Sequence, residues 1–112
     1  METTRQSKVS KAILKELSSI FHKETHQFLG NILVTITKVR VSRDLSISKV
    51  YLSIFPAKDP ASILLLINKK KKFLRSLLAK ELRYQLRIIP ELIFYLDDSA
   101  EYAEEIDRLL NK

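Results

Sequence analysis

The chain contains no cysteine, which excludes a disulfide framework, a thiolate metal centre and a thiol nucleophile. Tryptophan is also absent, and glycine occurs once, at Gly30. Loops that cradle phosphates need several glycines in one stretch, so they are excluded, and no nucleophile-elbow motif is present either. Long apolar runs are missing. The longest, Ile63 to Ile67, falls far short of the roughly 20 residues that span a bilayer as a helix. The first residues, METTRQSKVSK, lack the apolar stretch of a secretion signal. A soluble, cytoplasmic protein with no membrane association is therefore the expectation.

What is present suits one domain. The 112 residues are 46% hydrophobic and 29% charged, enough to bury a core without staples. Residues 1–112 are read as a single domain. Charge is the first informative feature. Twenty Lys and Arg against thirteen Asp and Glu give a net +7 and a pI near 9.7. From Asp97 to Lys112 six acids face two bases, net −4, so residues 1–96 hold 18 bases and 7 acids, net +11. A basic body (1–96) with an acidic C-terminal helix (97–112) points to a polyanionic partner, most often nucleic acid. A solubilising surface is the plainer alternative.

Periodicity gives the elements. Val9, Ile13, Leu17 and Ile20 recur at steps of three and four, predicting an amphipathic helix over 7–24, with Lys8, Lys11 and Lys15 on its opposite face. LGN then reads as its stop. In NILVTITKVRV the apolar positions run Ile32, Val34, Ile36 and then Val39, Val41, so a strand with a bulge near Lys38 is expected. ISKVYLSIFP is a second strand, and the short polar link SRDLS makes the pair an antiparallel hairpin. Asp59 and Pro60 carry helix-start chemistry, and helix is expected from about Ala61 to Leu86. Leu92, Phe94 and Leu96 mark a third strand, and Ser99 opens a last helix. The fold class is α+β, with helices laid on one face of a three-stranded sheet.

The run NKKKKFLR interrupts that long helix. On one continuous wheel Phe73, Leu74, Leu77, Leu78 and Leu82 form an apolar arc, and Lys70 and Lys71 fall inside or beside it. Unpaired ammonium groups cost several kcal/mol each to bury, so a break around Asn68–Lys72 is expected, leaving the lysines clustered and solvated at a joint. A cationic joint of two helices backed by a sheet is similar to a KH domain, which clamps nucleotide backbone through a GXXG loop. Without glycine here that loop is excluded, and the lysines would meet phosphates themselves.

A fuller resemblance covers nearly the whole chain. Val41–Leu45 (VSRDL) leads into Lys49–Tyr51 (KVY), followed by Phe73–Leu78 (FLRSLL), Arg87–Phe94 (RIIPELIF) and Asp97–Ser99 (DDS). In order and spacing these segments resemble the ribosome-binding factor A family. The resemblance implies a KH-like domain of type II topology, ordered α-β-β-α-(kink)-α-β-α. It also implies a non-enzymatic factor that binds the small ribosomal subunit, assists late maturation of its ribosomal RNA near the 5′ end, and aids growth in the cold. The family's Ala-x-Gly kink is replaced here by Lys70, Lys71 and Lys72. A general single-stranded nucleic-acid binder and a basic protein-interaction module are the rival readings.

The candidate RNA contacts are Lys69, Lys70, Lys71 and Lys72, against the alternative of a merely solvated run. Arg75, Lys80, Arg83 and Arg87 are read as a helical stripe, with Arg83 or Arg87 alternatively paired to Glu91 or the acidic tail. Ser42, Arg43, Lys8, Lys11 and Lys15 complete the set, with an Arg43–Asp44 ion pair suiting the hairpin turn. His22 and His26 are spaced i, i+4 but have no third histidine, so no metal site is expected. Tyr51, Phe55, Tyr84 and Tyr95 could stack on bases, yet core or half-buried positions are the plainer reading. No catalytic residue, cofactor or small-molecule substrate is expected, and a monomer is the simplest state.

Overall fold

Three residues before the predicted start of the first helix, a capping box already begins it. In the computed structural model, which describes residues 3–30, 32–55 and 59–97 (without the side chains of 25–28), α1 runs Thr4–Leu29. The Thr3 hydroxyl accepts from the Gln6 N–H at 3.1 Å, and the Gln6 side chain accepts from the Thr3 N–H at 2.8 Å. Gln6 is buried, and its Nε2 donates to the Val41 carbonyl at 2.9 Å. One side chain thus starts α1 and ties it to the sheet. The helix stops where Gly30 takes φ 67 and ψ −125, a conformation that side-chain-bearing residues avoid.

Strand β1 (Leu33–Val41) pairs antiparallel with β2 (Ile47–Phe55), and β3 (Glu91–Leu96) lies parallel along the other side of β2. The sheet order is β1-β2-β3. The expected bulge is present. Ile36 pairs with Leu52 and Lys38 with Tyr51, leaving Thr37 without a partner residue. Strand parity flips at that point. Val34 and Ile36 before it, and Val39 and Val41 after it, all face the core. The Thr37 hydroxyl holds the bulge by contacts to the Tyr51 carbonyl (3.3 Å) and the Asp97 carboxylate.

A parallel pair needs a crossover connection, supplied here by α2 (Pro60–Lys69) and α3 (Lys71–Leu82). Asp59 caps α2 by accepting from the Ser62 N–H and hydroxyl, with Pro60 at the first helical position. The core joins Ile13, Leu17 and Phe21 of α1, Val50 and Leu52 of β2, Ile67 of α2, Leu74, Leu78 and Leu82 of α3, and Phe94 of β3. Phe21 and Phe94 meet with ring centroids 5.6 Å apart. The α-β-β-α-α-β order, with the helices on one sheet face, is a KH-like α+β fold.

Two expectations change. Helix α3 ends at Leu82, not near Leu86; the Gln85 and Leu86 N–H groups fold back to the Leu82 carbonyl at 2.9 and 2.8 Å. Leu86 remains half-buried against the core without being helical, so its apolar signal was real but its helical period was not. Phe73, placed on the apolar arc, is exposed at the start of α3. The expected C-terminal helix lies outside the described residues.

Ser48 is fully buried in β2 and its hydroxyl has no hydrogen-bond partner among the described residues. A buried, unpaired hydroxyl is unfavourable. Ser48→Ala should therefore raise unfolding stability by about 1 kcal/mol, read by chemical denaturation. A loss of stability would mean that the hydroxyl is satisfied in solution.

Candidate nucleic-acid interface

The break between α2 and α3 is a single residue wide. Lys70 serves as the C-cap of one helix and the N-cap of the next, with φ −97 and ψ 7. That bridge-region conformation has negative φ and is open to any L-residue, which is why lysine stands here without strain. The Lys70 N–H closes α2 on the Ile67 carbonyl at 3.0 Å, and the Lys70 carbonyl accepts from the Leu74 N–H at 2.9 Å. Lys69, Lys70, Lys71 and Lys72 are all exposed. No acidic residue occupies the first turn of α3, and no side chain among the described residues caps it. Four cations therefore gather at a helix start whose dipole also favours anions.

Asn68 fixes this joint to the sheet. Its Nδ2 donates to the Phe94 carbonyl and its Oδ1 accepts from the Phe94 N–H, both at 3.2 Å. The side-chain amide acts like a further strand residue on the free edge of β3. Sequence reasoning missed this role, because a contact 26 residues away to backbone atoms leaves no local pattern.

The predicted stripe of Arg75, Lys80, Arg83 and Arg87 is not one surface. Arg75 donates from Nε to the Pro90 carbonyl (3.2 Å) and from Nη2 to the Ile89 carbonyl (2.6 Å), holding the segment that enters β3. With Lys71, Lys72, Glu91 and Leu92 it lines a groove of about 280 Å³ beside the joint. Lys80 faces α1 in a groove shared with Glu16, Lys23, Glu24 and Glu81, a mixed environment that does not single out an anion. Arg83 lies past the helix end and bonds the Tyr84 hydroxyl at 2.8 Å. Arg87 lies further on, because the helix does not reach it.

Arg87 instead joins Arg5, Lys8, Arg43 and Asp44 around a groove of about 450 Å³. Arg5 is an addition that sequence reasoning passed over; it stands one turn before Lys8 on the same helix. Lys11 and Lys15 are exposed further along α1. The Arg43–Asp44 ion pair does not form. Asp44 instead accepts from the Ser42 hydroxyl (2.8 Å), the Ser46 hydroxyl (2.7 Å) and the Ser46 N–H (3.1 Å). The hydroxyls of Ser46 and then Ser42 hold its carboxyl below the usual carboxylate range. Ser42 also accepts from the Ile47 N–H at 3.0 Å, so it builds the turn, leaving Arg43 exposed at its tip.

Three more cations escaped the sequence reading. Lys38, Arg40 and Lys49 line the open side of the hairpin together with Tyr51. The aromatic positions also differ from expectation. Tyr51 is half-buried, but Phe55, Tyr84 and Tyr95 are exposed, because the strand ends and the open sheet face lie away from the helices. Among the described residues, no three His, Asp or Glu side chains are grouped to hold a metal.

A KH-like scaffold bearing a cationic helix joint defines the class. Within it, the profile of the ribosome-binding factor A family matches residues 5–110, and this chain belongs to that family. Ribosome-binding factor A of Cytophaga hutchinsonii is 50% identical over 112 residues, covering 100% of this chain and 84% of that one. The crystal structure of ribosome-binding factor A from Thermus thermophilus superposes with a TM-score of 0.62 at 24% identity, over 81% of this chain and 94% of that one. A Thermus thermophilus homology model of the same factor, fitted into a cryo-EM map of its complex with the 30S subunit, gives 0.58 at 23% identity, over 88% and 97%.

Two substitutions test this construction. Asn68→Leu removes both bonds to Phe94 and leaves partly buried backbone groups unpaired, so it should cost about 2–3 kcal/mol of stability. A loss below 0.5 kcal/mol, roughly the size of a neutral surface change, would show that the clamp does not hold the joint. Asp44 supplies a pH test. A carboxyl with a depressed folded pKa stabilises above its unfolded pKa, and that contribution fades as pH falls through the folded value. The stability gap between the wild type and Asp44→Ala should be full at neutral pH and shrink below about pH 4. A gap constant with pH would remove the charged hub from the turn.

Proposed function

We propose that this chain is a non-catalytic assembly factor that docks on the small ribosomal subunit and assists late maturation of its ribosomal RNA near the 5′ end. The observation that carries this reading is the solvated joint, Lys69–Lys72, built into a member of the ribosome-binding factor A family. The Thermus thermophilus relative described in complex with the 30S subunit supports the choice of partner. The chain acts in the cytoplasm as one RNA-binding domain and as a monomer.

Phosphate contact is the main source of affinity in this reading. Ammonium groups and helix N–H donors meet the backbone and displace its counterions. The groove of Arg5, Lys8, Arg43 and Arg87 provides a second line of positive charge, and structured RNA that spans both would be oriented by shape. Arg75 and Ser42 act indirectly, by holding the segment before β3 and the hairpin turn in place.

The test is charge reversal at the joint. Lys70 and Lys72 are both exposed, so Lys70→Glu/Lys72→Glu should keep the fold by circular dichroism. It should weaken co-sedimentation with purified small subunits about a hundredfold or more. Unchanged subunit affinity in the folded double variant would remove the joint from the mechanism. Binding that follows an acidic protein and survives nuclease treatment would replace the RNA reading with a protein-interaction one.

A further inference from the structure

We propose that the open face of the sheet is a second RNA-contact surface, on which a base of single-stranded RNA stacks against Tyr95. This surface is separate from the lysine joint and stands whether or not the joint docks on the subunit.

The sheet register builds it in two rows. Lys38, Tyr51 and Tyr95 lie side by side across β1, β2 and β3, and Arg40, Lys49 and Ile93 form the adjacent row. The Tyr51 and Tyr95 rings stack with centroids 5.6 Å apart and an interplanar angle of 28°. The Lys38 ammonium stands 4.6 Å from the Tyr51 ring centroid. Lys38 reaches Tyr51 from the β1 side and Tyr95 from the β3 side, so both faces of the Tyr51 ring are engaged. Tyr95 is on the edge strand and 39% exposed. The free end of this ordered column is its ring.

Charge selects the occupant. Beside the column lies an open groove of about 400 Å³, lined by Lys38, Arg40, Ser42, Ile47, Lys49 and Tyr51, with no carboxylate among the described residues of its walls. Of the acids near this face among the described residues, Asp97 is engaged by Thr37 and Glu91 stands opposite Ile47 at the far end of the strand. Three cations flanking stacked rings are complementary to a backbone that carries both negative charge and flat bases. An acidic peptide would neutralise the cations but leave the rings unused. A duplex would satisfy the cations but keep its bases stacked on one another. Single-stranded RNA uses both, as stacking platforms do.

The bulge makes the surface possible. Were Thr37 held in the ladder as an ordinary paired residue, the alternation set by Val34 and Ile36 would carry Lys38 and Arg40 to the core face; bulging it out keeps both on the open side.

The experiment measures fluorescence anisotropy of a short labelled oligouridylate, and of the same backbone with abasic sites, on the full chain. Measurements are made in the wild type and in the Lys70→Glu/Lys72→Glu background, so that loss of the joint is distinguishable from loss of the platform. Tyr95→Ala should weaken oligouridylate binding about tenfold, while Tyr95→Phe keeps it and the abasic strand is indifferent to both. Arg40→Gln/Lys49→Gln should lower the salt slope by about 0.7 for each phosphate left unneutralised. Retained oligouridylate affinity in Tyr95→Ala, or equal affinity for the abasic strand, overturns the proposal; a platform covered by another part of the chain would give that result. If Tyr95→Ala does not fold, photocrosslinking of 4-thiouridine oligomers to the wild-type chain decides. Adducts on the peptides holding Tyr51 and Tyr95 support the platform, and adducts confined to other peptides overturn it.

Discussion

The solvation of four consecutive ammonium groups governs the second half of this molecule. Between Ile67 and Leu74, both completely buried, an unbroken helix would carry Lys70 and Lys71 along its apolar side. The desolvation cost of those charges far exceeds the backbone cost of ending one helix and starting another. The chain therefore turns at Lys70, in a conformation with negative φ that needs no glycine. Each half can then aim its own apolar residues inward: Ile67 from α2, and Leu74, Leu78 and Leu82 from α3. The lysines face water as a consequence of the same geometry that completes the core.

A joint forced by charge still needs to be located, and Asn68 does that. Its amide satisfies both polar groups of Phe94 on the free edge of β3, covering part of an edge that would otherwise offer unpaired donors and acceptors. Arg75 repeats the device one turn into α3, taking the carbonyls of Ile89 and Pro90. Two polar side chains that flank the lysine run thus bind the protein's own backbone. Cationic reach and rigid placement are divided between neighbouring residues, and the stripe drawn on a helical wheel does not persist because α3 ends at Leu82.

What was legible in the residues follows the range of the forces involved. The break at the lysines and the bulge near Lys38 could both be read, because solvation and strand parity act within a few residues. The hairpin and the core faces of all three strands were legible for the same reason. Helix ends were less so. Gln6 extends α1 backward through a capping box whose T-x-x-Q signal was there to be used, and Leu86 stays apolar after α3 has ended. Contacts such as Gln6 with Val41 or Asn68 with Phe94 depend on tertiary placement and have no local signature. The Lys38, Arg40 and Lys49 group lay between these cases. Carrying the bulge parity through the hairpin register would have set all three beside Tyr51.

The two cationic surfaces arise from one rule applied to two kinds of element. In the helices, charge that cannot be buried breaks the period and collects at the joint. In β1, charge that cannot be buried stays outward because Thr37 bulges out of the ladder, and its hydroxyl holds it there. The joint lies beyond the edge strand β3, and the tyrosine column ends on that same strand at Tyr95. Both surfaces therefore take their position from β3, whose pairing with β2 is parallel and whose outer edge is clamped by Asn68. Displacing β3 would move the joint and the ring column together, so the shortest of the three strands sets the spacing between the two cationic features.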